Sequence, residues 1–243
     1  EVDRVQLCAR ADVVEFARDA IASAGSLANY AAVHPDRQPL AGGRGATFAV
    51  PTPHGTWVVR RSRRGGWMRI WGDRYLRWGR PRVWRELEAS VGARARGVPT
   101  PEVVAAAWYP RTLTYRAEIA TLHVPDARDL ATLLFGPEPL EADDRVLAWA
   151  AAGRLLRWLY TLGVVHPDLN LTNVLLERAT RPPRPYLLDL DRARIVDRVS
   201  LRQRRAMVAR FRRSAETWAA RAGRPITPDE WRAFRAAYRT VHG

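Results

Sequence analysis

Mainly apolar runs, separated by turn residues, mark two candidate hairpins in the first half of the chain. The runs Ala46–Val50 and Thr56–Arg60 are rich in β-branched and aromatic residues, and a turn containing proline and glycine separates them. The runs Val103–Trp108 and Leu113–Leu122 have the same character and flank a Tyr-Pro dipeptide. Such runs, bounded by turn residues, predict antiparallel strands.

Helical signals precede and separate these hairpins. Asp12, with Glu15 three residues later, predicts a capped helix start, and Gly25 predicts its end. Residues 26–41 are expected to form a loop. The segment Arg82–Arg96 has a proline before it and a glycine after it. Proline is common at helix starts and glycine just after helix ends, so this segment is predicted to be a helix.

The second half of the chain is predicted to be mainly helical. A short helix capped by Asp126 is followed by a long helix from Glu141 to Leu162, which a glycine closes. Two short apolar strands, Val174–Leu176 and Tyr186–Leu190, surround a proline-rich turn. The remainder is expected to be helical, with an interruption at Gly223–Pro225.

Strands therefore come first and helices later, which indicates an α+β chain with two lobes. The first lobe is predicted at residues 1–122, with an N-terminal helix, a β-rich region and one further helix. The second is predicted at 123–243 and is mainly helical.

The composition excludes lysine-dependent chemistry and indicates the charge of the binding partner. The 243 residues carry a formal net charge of +15, and all 40 fixed cations are arginines because the sequence contains no lysine. A Schiff-base lysine and a Walker-A loop, which ends in Gly-Lys-Ser/Thr, are therefore excluded. Two basic stretches, 60–96 and 190–243, flank an acidic middle, which predicts an anionic partner.

Two further features of the composition concern the compartment. The single Cys8 cannot form an internal disulfide, which is typical of a reducing compartment. No apolar run approaches the roughly 18–20 residues of a membrane span, and the mixed, charged first residues do not resemble a signal peptide.

The most specific motif runs from His166 to Asn173 and has the form H-x-D-x-x-x-x-N, followed by an apolar strand. Further along comes Leu-Leu-Asp-Leu-Asp, which contains Asp189 and Asp191. Phosphoryl transfer needs a carboxylate that takes the acceptor proton, and oxygen ligands that hold Mg²⁺ against the phosphates of ATP. We predict Asp168 as the catalytic base, with Asn173 and Asp189 as the metal ligands.

Either segment alone is also compatible with capped turns, but their order after a long helix favours catalysis. The two segments together resemble the signature of the protein-kinase-like fold. Leu190 and Asp191 stand where protein kinases have Phe and Gly, Pro167 stands where many have an arginine, and no Ala-Pro-Glu follows. The acceptor is therefore expected to be a small molecule or a glycan.

The N-terminal half should then hold the nucleotide. The cluster Gly42-Gly43-Arg44-Gly45 is a candidate for backbone contacts to phosphate, although glycines before a strand often only form a turn. Arg60 ends the second β-run, where kinases place a phosphate-contacting lysine. Glu86 on the next helix is its candidate ion-pair partner, and Glu88 is the rival.

A narrower resemblance rests on several collinear motifs between about residues 42 and 195. These are Gly-Arg-Gly, Val-Arg-Arg-Ser-Arg-Arg-Gly-Gly (59–66), Asp-Arg-Tyr (73–75), Gly-Val-Pro-Thr-Pro (97–101), the H-x-D loop and Leu-Asp-x-Asp-Arg (188–192). They resemble bacterial 3-deoxy-D-manno-octulosonic acid (Kdo) kinases, in which an arginine occupies the position of Arg60. Leu190 departs from the usual Phe of that family.

The resemblance implies ATP- and Mg²⁺-dependent phosphorylation of a Kdo hydroxyl on a lipid A precursor, in lipopolysaccharide core synthesis. It also implies peripheral attachment at the cytoplasmic face of the bacterial inner membrane. Arg63, Arg64, Asp191 and Arg192 are candidate substrate contacts, because arginine forks suit the Kdo carboxylate and the lipid A phosphates.

Residues 60–84 combine many arginines with Trp67, Trp71 and Trp78. Taken as a helix, these tryptophans and Tyr75 fall on one face, a pattern that interfacial helices use against anionic membranes. Packing of the tryptophans onto the first lobe explains the pattern equally well.

Three alternative functions are each compatible with part of the sequence. An antibiotic- or choline-type phosphotransferase would share the H-x-D motif. The Arg-Arg-Gly-Gly and Asp-Arg-Tyr segments of this chain argue against that alternative. A nucleic-acid-binding protein would explain the charge, but no nucleic-acid motif is present, so no nucleic acid is expected. A pseudokinase is suggested only by the missing lysine.

Overall fold

The computed structural model describes residues 5–40, 47–62, 75–76, 81–111 and 114–240. Gly43, Arg44, Gly45, Arg63 and Arg64 lie outside these residues, as do Gly42, Trp67, Trp71 and Trp78. The chain divides into two compact units, one of residues 1–91 and 101–123, the other of residues 92–100 and 124–243. The second unit thus includes Gly92–Thr100, which the predicted lobe boundary leaves in the first lobe.

The first unit is built on an antiparallel sheet of seven strands, in the order β1-β6-β7-β4-β3-β2 with β5 paired to β7. Its strands are β1 (Gln6–Ala9), β2 (Gln38–Pro39), β3 (Phe48–Val50), β4 (Trp57–Arg61), β5 (Tyr75–Leu76), β6 (Val103–Pro110) and β7 (Thr114–Leu122). Both predicted hairpins are present. Strand β1 was not predicted, and the helical interpretation of residues 60–84 is wrong at Tyr75, which pairs with Tyr115 of β7.

Among the described residues, the first unit also holds α1 (Val14–Ala24), α2 (Leu27–Val33) and most of α3 (Arg82–Ala95), whose last turn belongs to the second unit. Gly25 ends α1 with a left-handed φ of 76°, as predicted. The predicted cap at Asp12 is wrong, because α1 begins at Val14 without a side-chain cap. Arg10 instead binds both carboxylate oxygens of Asp12, and this pairing lowers the pKa of Asp12.

The predicted loop at 26–41 is also wrong in part, because α2 occupies its start. Ser26 Oγ accepts the backbone N–H of Asn29 at 3.1 Å, and Glu118 on β7 accepts that of Ala28 at 2.9 Å. Glu118 is buried and also lies 3.3 Å from Arg61 Nε on the neighbouring strand. A helix start needs partners for its first N–H groups, and one of these partners is distant in sequence.

The second unit contains four helices and two small sheets. The helices are α4 (Leu130–Phe135), α5 (Ala142–Thr161), α6 (Leu201–Ala222) and α7 (Pro228–Arg239). One sheet has the order β11-β10-β8 and the other pairs β12 with β9. Their strands are β8 (Ala127–Asp129), β9 (Val164–Val165), β10 (Val174–Glu177), β11 (Arg184–Leu187) and β12 (Arg194–Ile195).

The long helix is confirmed as α5, and the predicted interruption separates α6 from α7. The predicted cap of the short helix is wrong: Asp129 caps α4 by accepting Thr132 N–H at 3.0 Å, whereas Asp126 has a φ of 50°. Continuous helix after residue 190 is also wrong, because β12 precedes α6. No helix among the described residues is long and apolar enough to cross a membrane.

Helices α5 and α7 approach closely at Gly153. A Cβ atom added there would lie 2.4 Å from the carbonyl oxygen of Phe234 and 3.2 Å from Ala237 Cβ. Phe234 stacks on Phe211 of α6, with ring centroids 5.5 Å apart. The missing side chain at Gly153 therefore permits the packing of the second unit.

We predict that Gly153→Ala destabilises the protein by about 2 kcal/mol, since overpacking a core typically costs about 1–3 kcal/mol. This loss should outweigh the gain of about 1 kcal/mol in helix propensity. The urea midpoint of unfolding measures the change.

Gly223→Ala is the control. Its Cβ would meet nothing within 4 Å but would sit at a φ of 63°, so a smaller loss of about 1 kcal/mol is expected. A Gly153→Ala protein as stable as the parent would contradict the close approach of α5 and α7.

Candidate active site

The H-x-D loop, residues His166–Asn173, joins β9 to β10 and ends in a short 3-10 turn at Leu171–Asn173. Asn170 organises the loop: its Oδ1 accepts N–H from Thr172 and Asn173, and its Nδ2 donates to the Asp168 carbonyl at 3.0 Å. Asn173 Nδ2 donates to the same carbonyl at 3.2 Å. The backbone at Asp168 is therefore held by two side-chain amides.

The second segment is the Asp189 turn, residues Leu188–Asp191, which follows β11. The predicted strand Tyr186–Leu190 is too long, because β11 ends at Leu187 and Asp189 takes the left-handed values φ 56° and ψ 61°. This conformation is uncommon outside glycine, although aspartate tolerates it better than most residues. A 3-10 turn over Leu190–Arg192 follows.

Two hydrogen bonds join the H-x-D loop to the Asp189 turn. Leu188 N–H donates to the Asn173 carbonyl at 2.9 Å, and His166 Nε2 lies 2.9 Å from the Asp189 carbonyl oxygen. The structure thus brings together the segments that carry Asp168, Asn173 and Asp189. Their separation in the sequence reflects the β10–β11 hairpin between them.

His166 is a buried hydrogen-bond donor. Only 1% of its surface is exposed, and burial lowers the pKa of its imidazole, since a buried cation is disfavoured. Because its Nε2 faces a carbonyl oxygen, the proton must reside on Nε2. Within the described part of the chain, Nδ1 is buried without a hydrogen-bond partner.

The donor chemistry beside Asp168 fits a magnesium ion. Asn173 uses Nδ2 for its hydrogen bond, so its Oδ1 is the atom available as a ligand, and Asp189 supplies a carboxylate. The described residues contain no group of three or more His, Cys, Asp or Glu side chains suited to a metal. Mg²⁺ commonly takes only one or two carboxylates, with phosphates and water completing its shell.

The Asp168 carboxylate has a partner that the sequence analysis missed. Arg210 on α6 reaches Oδ1 of Asp168, with Nη2 at 2.8 Å and Nε at 3.3 Å. Nothing in the local sequence of α6 distinguishes this arginine from its neighbours.

The remaining substrate candidates of this unit lie in the 3-10 turn after Asp189. Asp191 is buried, with 7% of its surface exposed, whereas Arg192 is exposed. Their proximity to Asp189 follows from the chain itself, and their roles stay predictions.

In the first unit, Arg60 on β4 forms an ion pair with Glu86 on α3. The Glu86 side chain is 4% exposed, and that of Arg60 is 32% exposed. The rival Glu88 is exposed on the same helix. Of the two candidate carboxylates, Glu86 therefore forms the ion pair with Arg60.

A β-sheet region, a helical region and an H-x-D loop joined to an aspartate turn are the features of a kinase-like fold. A solved structure of WaaP in complex with acyl carrier protein has a similar fold, with a TM-score of 0.61 and 17% identity, over 96% of this chain and 88% of that chain.

Sequence comparison identifies the family. The model of the lipopolysaccharide kinase (Kdo/WaaP) family matches residues 39–238. A 3-deoxy-D-manno-octulosonic acid kinase of Xanthomonas oryzae is 31% identical over 80% of this chain and 76% of its own length. One of Actinobacillus succinogenes is 32% identical over 81% and 82%. The chain belongs to the lipopolysaccharide kinase (Kdo/WaaP) family.

We predict that Glu86→Gln weakens nucleotide binding, because a neutral amide no longer holds the Arg60 guanidinium in one orientation. The Kd for ATP, measured by calorimetry with Mg²⁺ present, should rise about tenfold, equivalent to about 1.4 kcal/mol.

Glu88→Gln removes the same charge from the exposed face of the same helix and should leave the Kd within twofold. Equal effects of the two substitutions would contradict a specific function of the Arg60–Glu86 pair.

Proposed function

We propose that this protein transfers the γ-phosphoryl group of ATP to a hydroxyl group of Kdo on a lipid A precursor, in lipopolysaccharide inner-core synthesis. The observation that carries the proposal is the joining of the H-x-D loop to the Asp189 turn. Membership of the family and the relatives named Kdo kinases support the choice of acceptor.

In the proposed reaction, Asp168 accepts the proton of the acceptor hydroxyl. The hydroxyl oxygen forms a bond to the γ-phosphorus while the bond from phosphorus to the bridging oxygen breaks, and ADP leaves. The half-exposed position of the Asp168 side chain suits a group that must meet a substrate.

Asn173 and Asp189 would hold Mg²⁺. When bound, the ion neutralises charge on the ATP phosphates. The two hydrogen bonds between their segments keep Asn173 and Asp189 at a constant separation, which favours preorganised binding.

Arg60 would contact the nucleotide phosphates in the function that kinases give to a lysine. The guanidinium is always charged and matches phosphate geometry, and the pair with buried Glu86 restricts its motion. Backbone groups of Gly43, Arg44 and Gly45 are the further candidates for phosphate contacts.

The acceptor and the net charge of +15 fit a peripheral position at the cytoplasmic face of the inner membrane, whose surface is anionic. Arg63, Arg64, Asp191 and Arg192 remain the candidate contacts to the acceptor. An antibiotic- or choline-type acceptor is not favoured, because the named relatives are Kdo kinases.

One prediction of the proposed reaction concerns Asp168 as the base. Asp168→Asn should lower kcat about 10³-fold, since general base catalysis contributes about 10²–10⁴-fold, while the Kd for ATP stays within twofold. Calorimetry and a turnover assay give the two values, and circular dichroism verifies folding.

The control is Asp197→Asn, which removes a carboxylate from an exposed position before α6 and should retain kcat. Asp191 is unsuitable as a control because it is a candidate substrate contact. Full turnover by the Asp168→Asn protein would refute the assignment.

The second prediction concerns the acceptor. Mass spectrometry after incubation with ATP and Mg²⁺ should find one added phosphate group on Kdo-bearing lipid A precursor. The same precursor without Kdo should gain none, because the accepting hydroxyl belongs to Kdo. Phosphorylation of both lipids would place the acceptor hydroxyl outside Kdo.

A further inference from the structure

Arg210 forms its ion pair with Asp168 through one carboxylate oxygen. Nη2 and Nε lie 2.8 Å and 3.3 Å from Oδ1. Among the described residues, Oδ2 of Asp168 has no recorded hydrogen bond, so it is the oxygen left for a substrate. The Asp168 side chain is 46% exposed and that of Arg210 is 38% exposed.

The backbone that carries Arg210 is fixed against the H-x-D loop on both sides. Met207, one helical turn before it, accepts the backbone N–H of His166 through Sδ at 3.3 Å. Ser214, one turn after it, accepts the backbone N–H of Leu171 through Oγ at 3.3 Å. Residues three or four apart share a helix face, so Met207, Arg210 and Ser214 lie on one face of α6. This face contacts the H-x-D loop.

The loop itself offers no fixed cation. Residues 166–173 contain no arginine, and the Nε2 of His166 is directed to the Asp189 carbonyl oxygen at 2.9 Å. An aspartate on an irregular loop rotates about χ1 and χ2 unless a partner holds it, and a charged guanidinium bond is among the stronger partners.

We propose that Arg210 is a positioning residue for the phosphoryl transfer: it holds Oδ1 of Asp168 so that Oδ2 faces the acceptor hydroxyl. This inference rests on the proposed function of Asp168 as base. The proton of the acceptor hydroxyl passes to Oδ2 as the new bond to phosphorus forms and ADP departs. Arg210 exchanges no proton and acts only through Asp168.

The test compares Arg210→Met, which keeps the apolar stem, with Arg210→Lys, which restores a cation without the fork. A misplaced catalytic group can cost about 10²-fold. We therefore expect kcat to fall about 30- to 100-fold in Arg210→Met and less in Arg210→Lys, with both KM values within twofold of the parent.

Arg213→Met is the matched control, because Arg213 is exposed on the same helix; its kcat should be unchanged. Thermal melting of each variant separates a loss of catalysis from a loss of folded protein. If Arg210→Met is poorly folded, the comparison of Arg210→Lys with the parent decides the question.

Two results would overturn the inference. A raised KM for the acceptor at constant kcat would make Arg210 an acceptor ligand, and unchanged kinetics would give it no function in turnover. Failure of the proposed function gives a different result, because the Asp168→Asn protein would then keep its activity whatever the Arg210 variants do.

Discussion

The hydrogen bond between His166 and the Asp189 carbonyl is the interaction on which the candidate site depends. It joins two loops through residues that are 23 positions apart in the chain, and it requires a proton on Nε2 of the buried His166 ring. Together with the bond from Leu188 to the Asn173 carbonyl, it joins the segments that carry Asp168, Asn173 and Asp189, the proposed base and metal ligands. Segments joined in this way favour the preorganised charge that phosphoryl transfer needs.

Arginine supplies every fixed cation of this chain. Arg60 is paired with the buried Glu86, and Arg210 with Asp168. A guanidinium cannot lose its proton in a protein and binds carboxylates through a planar fork. The absence of lysine therefore leaves guanidinium groups at both positions, and Arg60 remains the proposed substitute for the phosphate-contacting lysine of kinases.

The sequence was sufficient for features that depend on local signals. The α+β class, the long helix α5 and the H-x-D loop follow from periodicity and motif spacing, because neighbouring residues determine them. The site roles of Asp168, Asn173 and Asp189 stay predictions, although the structure brings their segments together.

Features that depend on distant partners were missed. Helix α2 lies where a loop was expected, and one of its first N–H groups bonds to Glu118, 90 residues away. Arg210 bonds to Asp168 across 42 residues, and nothing in the sequence singles it out among the arginines of α6. The error between Asp126 and Asp129 has a local origin, since either aspartate could cap the helix that follows.

The most direct test of the central claim is the fate of the γ-phosphoryl group in a single turnover. Purified protein, ATP labelled at the γ-phosphate, Mg²⁺ and Kdo-bearing lipid A precursor are mixed, and the label is followed over time. The account predicts that the label moves to the lipid at the rate at which ADP forms. Label found only in inorganic phosphate or on the protein, with none on the lipid, would contradict it.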